Sequence, residues 1–94
     1  MRTTHRVEGS FPIIRCGGAC PIGFAWEIPF IVFEIEGKEV IWHSDKIDAV
    51  GYVYDGGLRG KRARLIANIA NEPDKWGRVT VKRVYSIQLE GVTL

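Results

Sequence analysis

The stretch RARLIANIANEPDKWGRVTVKRVYSIQLE, residues 62–90, decides the fold of this chain. Apolar and other residues alternate over Lys61–Ala70 and again over Arg78–Glu90. A period of two is typical of a β-strand, whose successive side chains point to opposite faces. The segment between the two runs, Asn71–Gly77, is polar and contains Pro and Gly, which is typical of a turn. The sequence therefore predicts a long β-hairpin.

One position of this hairpin breaks the alternation. Arg83 falls in a row that is otherwise apolar, between Val81 and Tyr85. A bulge shifts the phase of a strand and re-aims the side chains that follow it. We therefore predict a bulge or bend near Lys82-Arg83.

Upstream, a second hairpin is predicted at Ile28–His43. Two apolar, β-branched runs flank Gly37-Lys38, and a two-residue connection with Gly first favours a type II′ turn. Ala49–Tyr54 is predicted to be a further strand, or a continuation of the previous one, after a turn at Ser44–Asp48.

The first 27 residues carry weaker signals. Val7 and Phe11–Arg15 are consistent with a first strand, whereas Cys16–Gly23 is predicted to be a loop because glycines and Pro21 weaken a ladder. The whole chain is predicted to be one all-β domain, 1–94, forming a small antiparallel barrel of five to six strands, since closure hides the strand edges.

Composition narrows the class of protein. With 94 residues, 46% hydrophobic and 11% aromatic, the chain matches a single globular domain rather than a disordered segment. It has no apolar run of the roughly 18 residues that a membrane-spanning helix needs, and residues 1–6 are polar and not followed by a signal-type segment. We expect a cytoplasmic protein without a membrane partner. The single glutamine, with frequent Arg, Ile and Val, hints at a thermophile.

Positive charge is concentrated in the second half of the sequence. Residues 1–47 carry five Lys/Arg and six Asp/Glu, a net charge of −1, whereas residues 48–94 carry eight and five, a net charge of +3. An asymmetric basic half is the electrostatic pattern expected for a polyanion partner. A solvated charged surface is the alternative.

Residues 58–67, LRGKRARLIA, followed after a turn by residues 77–84, GRVTVKRV, resemble the last two strands of OB-fold domains of the replication-protein-A-like and anticodon-binding-like kinds. The resemblance covers about the last third of the chain. It implies an OB-like barrel that binds oligonucleotides across its face and rim loops. The connector Asp55–Gly60 departs from the family, because it is short for the helix usual before the fourth strand.

A nucleic-acid site would need aromatic faces for base stacking beside basic side chains that meet phosphates. Trp76 lies in a polar turn between Lys75 and Arg78, where a core residue has little reason to be. The predicted nucleic-acid-binding residues are Tyr52, Tyr54, Arg59, Lys61, Arg62, Arg64, Trp76, Arg78, Lys82 and Arg83. Most of the other aromatics are expected to fill the core. The alternatives for Trp76 are that it packs over the end of the hairpin or that it contacts a protein partner.

Catalytic and metal chemistry have less support. No Ser-His-Asp or Cys-His arrangement and no Walker-type loop can be placed, so an enzyme is not expected. Cys16 and Cys20 with His5 and His43 could complete a zinc site only if the two histidines converge through the fold. A Cys16–Cys20 disulfide would need an oxidising setting or a hyperthermophile. We expect reduced thiols, no metal and no cofactor.

The sequence thus predicts an OB-like module for single-stranded DNA or RNA, acting alone or as a subunit of a larger complex. The alternative is a structural or assembly protein that contacts other proteins, or further copies of itself in a homo-oligomer, through an exposed edge strand and its aromatics.

Overall fold

The computed structural model describes residues 3–19, 28–43 and 58–90. They form five strands, which are β1 (Thr4–Ala19), β2 (Ile28–Ile35), β3 (Lys38–His43), β4 (Arg62–Ala70) and β5 (Val79–Glu90). The strands close into a barrel in the order β1-β2-β3-β5-β4. This confirms the predicted all-β class and a small OB-like barrel. The strand predicted at Ala49–Tyr54 lies outside the described residues.

Four of the five strand pairings are antiparallel, and the pairing of β3 with β5 is parallel. The barrel is therefore mixed rather than wholly antiparallel. The parallel contact is short, with Val40 opposite Val79 and Ile41 opposite Thr80. The residues described here include no helix, and hence none that could cross a membrane.

β1 closes the barrel because it is long enough to pair with two neighbours. Residues 4–12 pair with β4, and residues from Ile13 onward pair with β2. The register with β2 shifts between Ile13 and Arg15, so Ile14 is the extra residue of a bulge. A bulge bends its strand and increases the local twist. This bend lets one strand pair in both parts of the sheet.

The predicted loop at Cys16–Gly23 is wrong for its first four residues. Cys16 to Ala19 continue β1 and pair with β2, with Gly17 opposite Phe30 and Gly18 opposite Pro29. A glycine in a strand is unfavourable by roughly 0.5–1 kcal/mol, but unpaired backbone groups along β2 would be less favourable still. The strongly β-forming run of β2 therefore keeps the glycines in the ladder.

The predicted turn between β2 and β3 is displaced by one residue. Ile35 pairs with Lys38, so the central residues are Glu36 and Gly37, with φ of 56° and 76°. Positive φ at both positions is the geometry of a type I′ turn, whose twist matches that of the flanking strands. The sequence misleads here because a glutamate is an unusual residue at φ > 0.

The core is filled by the inward rows of all five strands and by Leu58, which precedes β4. On β4 the predicted inward row is confirmed, since Ala63, Leu65, Ala67 and Ile69 are each at most 1% exposed. On β2, Phe33 is fully buried between Ile31 and Ile35.

The predicted bulge in the last strand is confirmed, and a second one follows it. At two places, consecutive residues of β4 pair with β5 residues that are two positions apart. Lys82 and Tyr85 are therefore each the extra residue of a bulge. The inward row consequently runs through Val81, Val84 and Ile87, which pack against the core. Arg83 leaves the apolar row for this reason.

At one end of the barrel, His5 of β1 forms hydrogen bonds with the β2–β3 turn and with the residue after β4. Its Nε2 donates to Glu36 Oε1 in the β2–β3 turn, and its Nδ1 donates to Asn71 Oδ1 after β4, each at 2.5 Å. The Glu36 carboxylate first, and then the Asn71 oxygen, raise the pKa of His5 above its usual value. The hydrogen bond from His5 lowers the pKa of Glu36, while Lys38 nearby acts against protonation of His5.

This contact predicts a pH dependence of stability. Because the His5 pKa is raised by folding, its contribution is complete below about pH 6.5 and is lost as the pH rises through the folded-state value. The contribution of Glu36 is lost as the pH falls through its lowered pKa. An exposed pair supplies at most about 1 kcal/mol.

We expect urea midpoints of the native protein and H5Q to differ most near pH 5.5 and to converge by pH 9. A constant difference between these pH values would show that the charge of His5 adds nothing. Comparing the two proteins removes the contribution of His43.

Candidate nucleic-acid interface

The β4–β5 turn is organised by Asp74. Asp74 Oδ1 accepts hydrogen bonds from the backbone amides of Trp76 and Arg78, both at 2.9 Å. Its own amide donates to the Arg78 carbonyl at 2.8 Å, and Gly77, at a φ of 77°, donates to the Asp74 carbonyl at 2.9 Å. The amide of Arg78, followed by that of Trp76, holds the pKa of Asp74 below its usual value. The turn is therefore a defined structure that presents the intervening side chains.

Trp76 is presented to solvent at the tip of this turn. Its side chain is 58% exposed, the largest exposure of a big apolar residue among those described. Lys75 Nζ lies 4.5 Å and Arg78 Cζ lies 5.5 Å from the centre of a Trp76 ring. Both distances are within the range of cation–π attraction. The turn thus combines an accessible aromatic surface with two positive charges.

Phe30 and His43 lie on the face of β2 and β3 opposite to the core row of Phe33, and both are partly buried. They are directly paired across the ladder, and their ring centres are 6.0 Å apart. Burial, together with the charge of Arg78, lowers the pKa of His43 below its usual value and so favours the uncharged imidazole. An uncharged imidazole beside a phenyl ring offers two aromatic rings for stacking.

Lys82 lies close enough to the β4–β5 turn for its charge to act on Asp74, whose pKa it helps to lower after the amides of Arg78 and Trp76 and the charge of Arg78. We call the surface made by these side chains the rim patch, and it comprises Phe30, His43, Lys75, Trp76, Arg78 and Lys82. It contains three basic residues and three aromatic side chains, and the carboxylate of Asp74 lies 4.0 Å from Arg78 Nε.

Arg62 and Arg64 lie away from the rim patch. From Arg62 to Ala70, next to the turn, β4 covers eight steps of about 3.3 Å, or about 26 Å. Arg62 is also engaged locally, because it donates to Ser10 Oγ at 3.1 Å and to the Ser10 carbonyl at 2.9 Å. Arg64 Nε lies 3.7 Å from Glu90 Oε1.

The ten predicted residues therefore do not form one cluster. Trp76, Arg78 and Lys82 come together in the rim patch, and Arg83 follows Lys82 on the adjoining face. Arg59 and Lys61 are exposed in the segment that leads into β4, near the end that holds Arg62. The structure does not describe Tyr52 and Tyr54.

Sequence reasoning missed three features of the site. Lys75, Phe30 and His43 belong to the rim patch but were not among the predicted residues. Lys75 could have been found from its position next to Trp76. The Phe30–His43 pair depends on the hairpin register, which the displaced turn had obscured.

The residues considered for zinc do not converge. His5 contacts Glu36 at one end of β3, whereas His43 lies at the other end, about 17 Å from Lys38 by strand rise. Cys16 packs against the core from β1, and Cys20 lies outside the described residues. In the described parts of the chain, no three His, Cys, Asp or Glu side chains are grouped as metal ligands would be.

Comparison of the chain with protein-family models, with curated proteins and with solved structures gave no match.

Proposed function

We propose that this protein is a single-stranded nucleic-acid-binding module, for DNA or RNA, and that the rim patch is its binding site. The observation that carries the proposal is the ordered turn that holds Trp76 in solvent between Lys75 and Arg78. A single strand offers bases that stack on aromatic rings and phosphates that attract cations. The rim patch supplies both kinds of contact within a few residues.

The position of the rim patch in the barrel supports the same proposal. OB-folds bind oligonucleotides on the face of strands 2 and 3 and with the loop between strands 4 and 5. Phe30 and His43 lie on that face, and Trp76 lies in that loop. The proposed kinship with replication-protein-A-like or anticodon-binding-like OB domains rests on this placement and on the sequence of the last hairpin.

We also infer that the protein acts by binding and not by catalysis, in the cytoplasm, either alone or inside a larger nucleic-acid complex. This role accords with an OB-like module. The hint of a thermophilic source remains a prediction from composition.

A salt titration tests the proposal. Three phosphate contacts, from Lys75, Arg78 and Lys82, predict that the logarithm of the binding constant falls with a slope of about −2 against the logarithm of salt concentration. Affinity for a labelled 4-nucleotide strand, which is long enough for the rim patch alone, should then drop about 16-fold between 50 and 200 mM salt. We expect K75Q to make the slope shallower by about 0.7, and R15Q, which removes a charge paired with Glu39, to leave it unchanged. Absence of binding at 50 mM salt to both DNA and RNA would refute the proposal.

An assembly protein is the second candidate function, and the short β3–β5 contact favours it. Among the described residues, β5 pairs with β3 only at Val79 and Thr80, so the rest of that long edge has no strand partner within this part of the chain. Such an edge can accept a strand from another molecule. Light scattering distinguishes the two functions, because this alternative predicts self-association that oligonucleotides do not affect.

A further inference from the structure

The two bulges of β5 change which side chains reach its outer face. In a regular strand one outward residue separates consecutive inward ones. Here Lys82 and Arg83 are both exposed between Val81 and Val84, and Tyr85 and Ser86 are both exposed before Ile87. Bulges are frequent next to binding sites, where they re-aim a side chain. This pair of bulges keeps the apolar row in the core and adds a basic and an aromatic residue to the surface.

Tyr85 is held in a fixed position on this surface. It is 48% exposed, and its hydroxyl accepts a hydrogen bond from Asn68 Nδ2 at 3.0 Å. Arg83 Cζ lies 5.0 Å from the ring centre, and Arg6 Cζ of β1 lies 5.6 Å from it. Arg83 makes no ion pair with any of the described residues, whereas Arg6 lies 3.8 Å from Glu8. The ring is thus about half exposed, with the guanidinium groups of Arg83 and Arg6 over it, and a stacking base would take the place of one of these groups.

The surroundings of Tyr85 are basic and concave. The outer face of β4, β5 and residues 4–12 of β1, which we call the Tyr85 face, carries four basic residues besides Lys82 of the rim patch, namely Arg6, Arg62, Arg64 and Arg83, against two carboxylates, Glu8 and Glu90. The same face has a depression of about 450 Å³ that begins at Ser86, the residue after Tyr85, and is also lined by Ile66, Arg64 and Glu8. An excess of two positive charges on the face as a whole is complementary to a polyanion.

We propose that the Tyr85 face is a second stacking site for the same nucleic-acid strand, which leaves the rim patch and crosses β5 at Lys82-Arg83. This inference rests on the proposed function and extends it. A base stacks on Tyr85, Arg83 meets the adjoining phosphate, and the depression toward Arg64 receives the next nucleotide. Lys82 belongs to the rim patch and Arg83 to the Tyr85 face, so the consecutive bulged residues connect the two surfaces.

Oligonucleotide length separates the two sites. Sites on OB-folds range from about 4 to about 16 nucleotides, so a 4-mer can occupy the rim patch alone whereas a 12-mer can reach both surfaces. We expect Y85A to weaken binding of a 12-nucleotide thymidine strand about 10-fold and to leave binding of the 4-mer unchanged. Y85F retains the ring and should bind the 12-mer like the native protein. R83Q should make the salt slope for the 12-mer shallower by about 0.7, and R15Q should not change it.

The outcomes distinguish this inference from the function on which it rests. If the native protein binds both lengths and Y85A binds the 12-mer equally well, the Tyr85 site is wrong and the rim patch stands. Equal losses for the 4-mer and the 12-mer would also overturn it, because Tyr85 would then act on the rim patch rather than on a distant part of the strand. If the native protein binds neither length, the proposed function fails first, and this inference fails with it.

Discussion

Replacing Trp76 with alanine is expected to weaken binding of a 12-nucleotide single strand by about 1–3 kcal/mol, which is about 5- to 150-fold in Kd. The indole is 58% exposed, so a base can stack on it without displacing any core residue. Lys75 and Arg78, close to the same ring system, add attraction for the phosphates on either side of that base. Fluorescence anisotropy of a labelled strand at about 50 mM salt measures the effect.

Three variants make this result specific to stacking. W76F keeps an aromatic face and should retain most of the affinity, whereas W76A and W76L should lose it to similar extents. The urea midpoint should be unchanged in all of them, because an exposed tip residue adds little to the core. W76A with native affinity, while K75Q still shows its altered salt slope, would mean that the patch attracts phosphates but stacks no base at Trp76.

The strand pattern was accessible from the sequence wherever one face of a strand is buried. On β4, Ala63 and Leu65 alternate with Arg62 and Arg64, and burial selects this register because a one-residue slip would put the arginines in the core. The anomaly at Arg83 was visible for the same reason. Trp76 stood out because a large apolar residue in a polar turn has no packing explanation.

Other features depended on tertiary context that local rules do not contain. Glycine lowers intrinsic strand propensity, but Gly17 and Gly18 pair with β2 because that strand needs a neighbour. Glu36 adopts a positive φ in its turn, and its side chain accepts a hydrogen bond from His5, which lies on a strand distant in sequence. The Phe30–His43 pair follows from that turn, so misplacing the turn by one residue concealed part of the site.

The predicted basic residues are also separated in space, which the distribution of charge along the sequence could not show. The sequence concentrates basic residues in one hairpin, but a hairpin in a barrel has two ends and an outer face. Arg62 lies about 26 Å along β4 from the turn that holds Trp76. The second bulge, at Tyr85, had no signal of its own, because a tyrosine in an apolar row is an ordinary core residue.

Two phenylalanines on β2 provide the other large expected effect and separate folding from binding. Phe33 is 0% exposed and belongs to the core, whereas Phe30 is half-buried on the outer face, opposite His43. F33A should destabilise the protein by about 3–5 kcal/mol, because it removes a buried ring and leaves a cavity. That is a large share of the roughly 5–14 kcal/mol expected for a domain of this length.

F30A is the matched control, since it makes the same chemical change three residues away on the opposite face. It should lower the free energy of unfolding by less than F33A does, and it should weaken binding of the single strand about 5-fold or more through loss of the stacking surface. Urea unfolding with equal m values measures the first effect, and anisotropy measures the second. F33L, expected to cost less than about 1.5 kcal/mol, should remain folded with native affinity. The opposite result would be that F30A destabilises the protein more than F33A does and that F33L binds the strand more weakly than F30A does. The assignment of the core face and the binding face on β2 would then be reversed.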